Sequence, residues 1–227
     1  MENINHRTNQ SSDRLNIAHR LSLIIGVITL HSVCYYLVNW MNSTRAEESF
    51  YDFTICIDHW IPYMSWTWII YYFGDIYIIL GAGIIVWHLP RKKFIRAVSV
   101  YSGMIVTGAL IQLLLPAVAP WPDHLIPEHQ FFHDLISMKP YANFPSMHVA
   151  LALLPASLLF SITKNRWIRI LSTAAVILIS ITTVTLKEHF VLDVFSGAAL
   201  GFVSYLIWKR DFKIFAKESS GVLSHEH

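Results

Sequence analysis

Apolar and polar stretches alternate along this chain on the scale of a lipid bilayer. Six apolar runs stand out, at about 19–41, 63–88, 97–119, 148–163, 168–186 and 190–208. A helix needs about 20 residues to cross the hydrocarbon layer, and each run is near that length. Polar turns separate them: an acidic loop over 42–62, a short basic turn over 89–96, a Pro- and His-containing loop before residue 143, and a basic turn at Lys164, Asn165 and Arg166. The pattern predicts an all-α, polytopic membrane protein with six transmembrane helices. Its parts are a polar N-terminal segment over 1–18, a membrane domain over 19–208 and a basic tail over 209–227.

Composition agrees with a membrane setting. Hydrophobic residues make up 54% of the 227, charged residues 14%, and mean hydropathy is +0.45, too apolar for a soluble domain. The first run is long, follows a polar lead and has no small-x-small cleavage site, so it is expected to remain as a span. The net charge of +2 matters less than its distribution. With six spans, Arg45, Lys139 and Lys187 alone among the 17 lysines and arginines fall on one side. By the positive-inside rule that side is periplasmic or luminal, and both termini are cytoplasmic. Cys34 and Cys56 suggest no disulfide framework. Nothing points to nucleic acid.

The candidate chemistry sits on the sparsely charged side. Asn143-Phe-Pro-Ser146-Met-His148 opens the fourth span, and Lys187-Glu-His189-Phe-Val-Leu-Asp193 opens the sixth. Forty residues lie between the two histidines, enough for one crossing and a return, so both histidines reach the same face. Asp193 follows His189 by one helical turn, which stacks the two side chains. A neutral imidazole is a good nucleophile toward phosphorus, and a carboxylate on its other nitrogen fixes the tautomer. His189 is then the nucleophile, Asp193 its orienter and His148 the acid that protonates the leaving oxygen. Ser146 reads as the N-cap of the helix carrying His148, whose N-terminus offers N–H groups to an anion. Ser146, Lys187 and Asn143 are the candidate substrate-binding residues. No metal or other cofactor is expected.

Pro145-Ser146-Met147-His148, followed by His189-x-x-x-Asp193, resembles the second and third signature motifs of the type 2 phosphatidic acid phosphatase (PAP2) superfamily. The resemblance covers the C-terminal half well and the first half only in outline. It implies a six-helix membrane core and a metal-independent phosphohistidine mechanism. The phosphatase branch carries Lys-x6-Arg-Pro as a first motif; here the matching region runs from Gln112 to Pro122 without a basic residue. That branch also places Ser-Arg before the nucleophile, where this chain has Thr182 and Thr183. The pattern is thus most similar to the inositol phosphorylceramide and sphingomyelin synthase-like phosphotransferases.

The implied activity is a lipid phosphatase or phosphotransferase acting on a phospholipid or other lipid phosphate, with a lipid alcohol as an acceptor. A phosphomonoester is close to a dianion at neutral pH and calls for several basic groups, which this face lacks. The expected substrate is therefore a phosphodiester lipid. Two alternatives stand beside it: a phosphomonoesterase or pyrophosphatase acting on phosphatidic acid or polyprenyl pyrophosphate, and a catalytically inactive transporter or scaffold on the same fold.

Several further features carry expectations. His124, His129 and His133, with Asp134, read as surface or lid residues rather than metal ligands. Gly197-x-x-x-Gly201 reads as a close helix contact. Trp60, Trp66, Trp68 and Trp121 read as an interfacial belt. His31 and Asp75 both fall near mid-membrane, where an unpaired charge is costly, and are expected to pair with each other or with Tyr71 or Tyr72.

Overall fold

A computed structural model describes residues 16–118, 127, 130 and 141–222. Seven α-helices form among the described residues, with no strand. They are α1 (Ile17–Ser43), α2 (Cys56–Trp60), α3 (Trp68–His88), α4 (Arg91–Leu114), α5 (Met147–Ile162), α6 (Arg166–Thr185) and α7 (Val191–Val222). The loop histidines His124, His129 and His133 lie outside the described residues, as do Asp134, Trp121 and residues 1–15.

Four helices are long and apolar enough to cross a membrane: α1, α4, α6 and the part of α7 over Val191–Arg210. Large apolar side chains such as Ile25, Val33 and Trp40 on α1 and Ile170, Leu171 and Ile177 on α6 are exposed on the isolated chain. A helix apolar on all sides fits a lipid surround. Trp60 and Trp66 are also exposed, shortly before the N-terminal end of α3.

Helix α5 is the shortest of the six long helices, at 16 residues, or about 24 Å. It is also the central one, packed against α3, α6 and α7. Val149, Ala150, Ala152, Leu154, Ala156 and Leu158 are buried, while Phe160 and Ile162 at its C-terminal end are exposed. Glycine permits the tightest of these contacts. A Cβ at Gly197 would collide with the Ser146 carbonyl oxygen, and one at Gly201 would lie 2.9 Å from that of Ala150. The expected Gly197/Gly201 contact is thus made against α5, and it brings the start of α7 onto the serine motif.

The ends of several helices differ from the apolar pattern. The third run was expected at 97–119, but α4 begins directly after Pro90 and stops before Pro116, whose ring cannot continue a helix. The second run was expected from residue 63, but Ser65–Thr67 first makes a 3-10 turn. The acidic loop contains the short helix α2, where Asp58 Oδ2 accepts from the Ile55 N–H at 2.9 Å. Helix α7 continues past residue 209 through residue 222, without a Pro or Gly to stop it before Gly221. At the opposite end, buried Arg20 donates to the Trp87 and Leu89 carbonyls that close α3. Those carbonyls are among the four a helix C-terminus leaves unpaired.

Candidate active site

The segment leading into α5 packs Tyr141 against Phe50 and stacks Phe144 on Phe53, and buried amides from α1 and α4 hold its backbone. Tyr141 donates its N–H to Asn39 Oδ1 at 2.8 Å, and Asn42 Nδ2 donates to the Tyr141 carbonyl at 2.7 Å. Gln112 Nε2 donates to the carbonyls of Ala142 at 2.9 Å and Pro145 at 3.2 Å. Gln112 opens the stretch where the resembled phosphatases carry a basic motif. Here it anchors the serine motif through neutral hydrogen bonds.

A second set of contacts joins the two motifs. Ser146 donates its N–H to the Asp193 carbonyl at 3.0 Å, and Asn143 Nδ2 donates to the Glu188 carbonyl at 3.0 Å. Both side chains are buried. Ser146 is the N-cap of α5, its Oγ accepting from the Val149 N–H at 3.5 Å. The structure thus gives Ser146 and Asn143 scaffold contacts that place the two histidines together.

The turn before α7 is fixed from the first loop. Lys187 adopts a left-handed backbone conformation (φ 59°), uncommon for a residue with a side chain. Its ammonium donates to the carbonyls of Asp58 at 2.9 Å and Ile61 at 2.7 Å. Asp58 itself is buried and accepts the Val191 N–H at 2.9 Å, capping α7. The Glu188 and His189 N–H groups both donate to the Thr183 carbonyl. Thr182 and Thr183 turn their hydroxyls back onto Ile179 and Ser180 of their own helix.

Within this frame His189 and Asp193 form a buried pair. His189 Nδ1 lies 3.2 Å from Asp193 Oδ2, with 5% and 0% of the side chains exposed. The same carboxylate oxygen accepts the Phe190 N–H at 2.9 Å, while Oδ1 has no partner among the described residues. An ionised Asp193 requires the proton on Nδ1, which leaves the lone pair on Nε2. That is the tautomer a nitrogen nucleophile needs.

His148 lies opposite, its ring centroid 5.8 Å from that of His189 and steeply inclined to it. Its side chain is about one-third exposed (32%). Tyr71 Oη is 3.1 Å from Nε2, and Asp75 Oδ1 is 3.4 Å from the same nitrogen. The pairing expected of Asp75 is therefore corrected: it meets His148, not His31. Tyr71 is likewise engaged with His148. Helix α1 makes only slight contact with α3, whereas α3 packs broadly on α5, so the carboxylate turns toward α5.

Sequence reasoning missed Asn39, Asn42, Asp58 and Gln112. The available signal was polar side chains at or near the ends of apolar runs, where an unpaired amide or carboxylate is costly.

A sequence model of the PAP2 superfamily matches residues 56–207. Among solved structures, the chain matches the crystal structure of Aquifex aeolicus LpxE at 20% identity, with a TM-score of 0.49, over 77% of this chain and 93% of that one. No curated protein matches it.

Proposed function

The chain belongs to the PAP2 superfamily, and from that premise we propose that it is an integral-membrane lipid phosphatase or phosphotransferase working through a phosphohistidine at His189. The observation that carries the reading is the buried His189–Asp193 pair with the partly exposed His148 ring across from it. His189 Nε2 forms a bond to phosphorus as the bond from phosphorus to the lipid oxygen breaks, and His148 gives that oxygen a proton. Water or a lipid hydroxyl then attacks the phosphohistidine while His148 takes up its proton, and His189 is released. Asp193 stabilises the charge on the His189 ring throughout.

In this proposal all six long helices are embedded, with both termini cytoplasmic and the histidines on the periplasmic or luminal face. The membrane domain spans 19–208, with the short α5 shielded from lipid by its neighbours. The N-terminus of α5 at Ser146 receives the phosphate. Lys187 uses two of its three ammonium donors on loop carbonyls, leaving the third for a phosphate oxygen. Asn143 supports the motif from behind.

We further infer a phosphodiester lipid as substrate, as in the synthase-like branch. Arg45 donates to the Leu113 carbonyl at 2.8 Å, which commits another of this face's few cations to structure. A monoanionic diester suits so modest a supply of positive charge. The test compares kcat/KM for phosphatidylcholine or phosphatidylinositol, with and without ceramide or diacylglycerol, against phosphatidic acid and polyprenyl pyrophosphate in one detergent. A diester preference is expected. Tenfold preference for phosphatidic acid would return the protein to a phosphomonoesterase reading, and no turnover of any lipid would favour a transporter or scaffold.

A further inference from the structure

Asp75 is a carboxylate within a helix whose neighbouring residues are almost all apolar (Ile69 to Leu80). Such a group is retained in a membrane segment when it has a partner and a task. We propose that Asp75 is a positioning residue for the reaction: it holds His148 as an imidazolium, so that two carboxylate–histidine pairs face each other across the site. The proposal rests on His148 being the acid–base group described above.

Three observations lead there. First, Asp75 Oδ1 lies 3.4 Å from His148 Nε2, and both side chains are about one-third exposed, so the pair is open to a ligand. Contacts between catalytic groups are often this long before substrate binds. Second, Tyr71 precedes Asp75 by one helical turn and presents its hydroxyl to the same ring. One face of α3 thus supplies a hydroxyl and a carboxylate to one imidazole. Third, α3 is seated closely at this level: a Cβ on Gly74 would lie 2.7 Å from Ile179 Cγ1 of α6. The carboxylate is placed by helix packing rather than by a flexible loop.

The chemistry follows from charge. A carboxylate beside an imidazole favours the protonated ring, which is the form required when the lipid oxygen leaves. With Asp75 on Nε2, Nδ1 is the nitrogen left for the transfer, and Tyr71 Oη lies 3.5 Å from it. When the phosphohistidine is resolved, the same carboxylate stabilises the proton that His148 takes from water or a lipid hydroxyl. Other titratable groups also face His148. They are His31 from α1, Tyr71 from α3 with Tyr35 and Tyr72 near it, and Glu188 and His189 from the turn before α7. Among these, Asp75 is the carboxylate in direct contact.

The experiment uses the full-length protein in detergent with two diesters, hexadecyl p-nitrophenyl phosphate and hexadecyl phenyl phosphate, which differ only in the leaving group. Wild type, Asp75→Asn, Asp75→Glu and His148→Ala are compared across pH, each first checked for a monodisperse elution profile. Asp75→Asn is expected to slow the phenyl ester by about 10- to 100-fold and the p-nitrophenyl ester far less. Removing the carboxylate makes His148 lose its proton at lower pH, so the basic limb of kcat/KM should move to lower pH. Asp75→Glu, which keeps the charge, should retain the wild-type limb even if slower. Equal slowing of both esters by Asp75→Asn with an unmoved limb would overturn the role of Asp75 and leave that of His148 intact. Equal slowing of both esters by His148→Ala would instead overturn the acid role of His148, and the present proposal with it. Should Asp75→Asn fail to fold, an Asp75→Glu protein whose basic limb moved to lower pH would overturn it as well.

Discussion

Two histidine–carboxylate pairs face each other in this protein, and they are built differently. His189, in the turn before α7, and Asp193, in the first turn of that helix, are four residues apart and almost wholly buried, and Asp193 also accepts the Phe190 N–H. His148 and Asp75 come from two helices, are a third exposed, and are reinforced by a tyrosine. The first pair is close in sequence, and contacts of Asp58, Lys187 and Thr183 fix the turn that carries its histidine. The second exists only when α3 packs on α5. A pair held by local geometry suits a nucleophile that must keep one tautomer. One held across a helix interface and open to the site suits a group that gives and takes a proton.

The largest effect should come from the local pair. His189→Ala is expected to lower turnover by about 10⁴-fold or more, with the thermal transition in detergent little changed, as read by phosphate or headgroup release. Residual activity near wild type would remove His189 from the nucleophile role.

Asp193→Asn should come next, at about 10³- to 10⁴-fold, because an amide can stabilise the wrong tautomer and not the imidazolium. The comparison sharpens here, since this loss should be the same for good and poor leaving groups. A loss that depended on the leaving group would blur the distinction between the pairs.

Lys187→Met probes the scaffold under the local pair. It removes two charge-assisted bonds to the loop carbonyls, each typically worth about 1.5–3 kcal/mol in such settings. A fall in thermal midpoint of several degrees with a 10- to 100-fold loss in kcat/KM is expected. Unchanged stability would mean that the clip does not hold the turn.

Gly197→Ala should lower stability by about 1–3 kcal/mol, since the new Cβ meets the Ser146 backbone. A variant as stable as wild type would show that α5 and α7 can separate at no cost. The smallest effect is the most discriminating for the interhelix pair. In a double-mutant cycle on stability, Asp75→Asn should couple to His148→Ala by about 0.5 kcal/mol or more and less to His31→Ala. The reverse order would restore the His31 pairing.

Much of this was legible along the chain. The apolar runs located the six long helices because helix length and bilayer thickness impose one scale. Ser146 as N-cap and Gly197 as a close contact followed from what a hydroxyl and a missing Cβ can do. The ends of α3 and α4 were misplaced because apolar residues continue into the loops, where Pro116 and the 3-10 turn at Ser65–Thr67, rather than hydropathy, set the boundary.

Sequence by itself determined what depends on spacing along the chain: the four residues from His189 to Asp193, and the Tyr71–Asp75 spacing that puts two polar groups on one face of α3. Tertiary structure alone decided which partner those groups meet. Asp75 and His31 share a depth, and depth is all that residue counting yields. Choosing between His31 and His148 requires the rotation of α3 and the identity of the helix against it. In the same way, sequence places Lys187 beside the nucleophile, but only the fold brings the carbonyls of Asp58 and Ile61 to two of its ammonium donors. A charge seeks the nearest unpaired dipole, and only packing says which dipole that is.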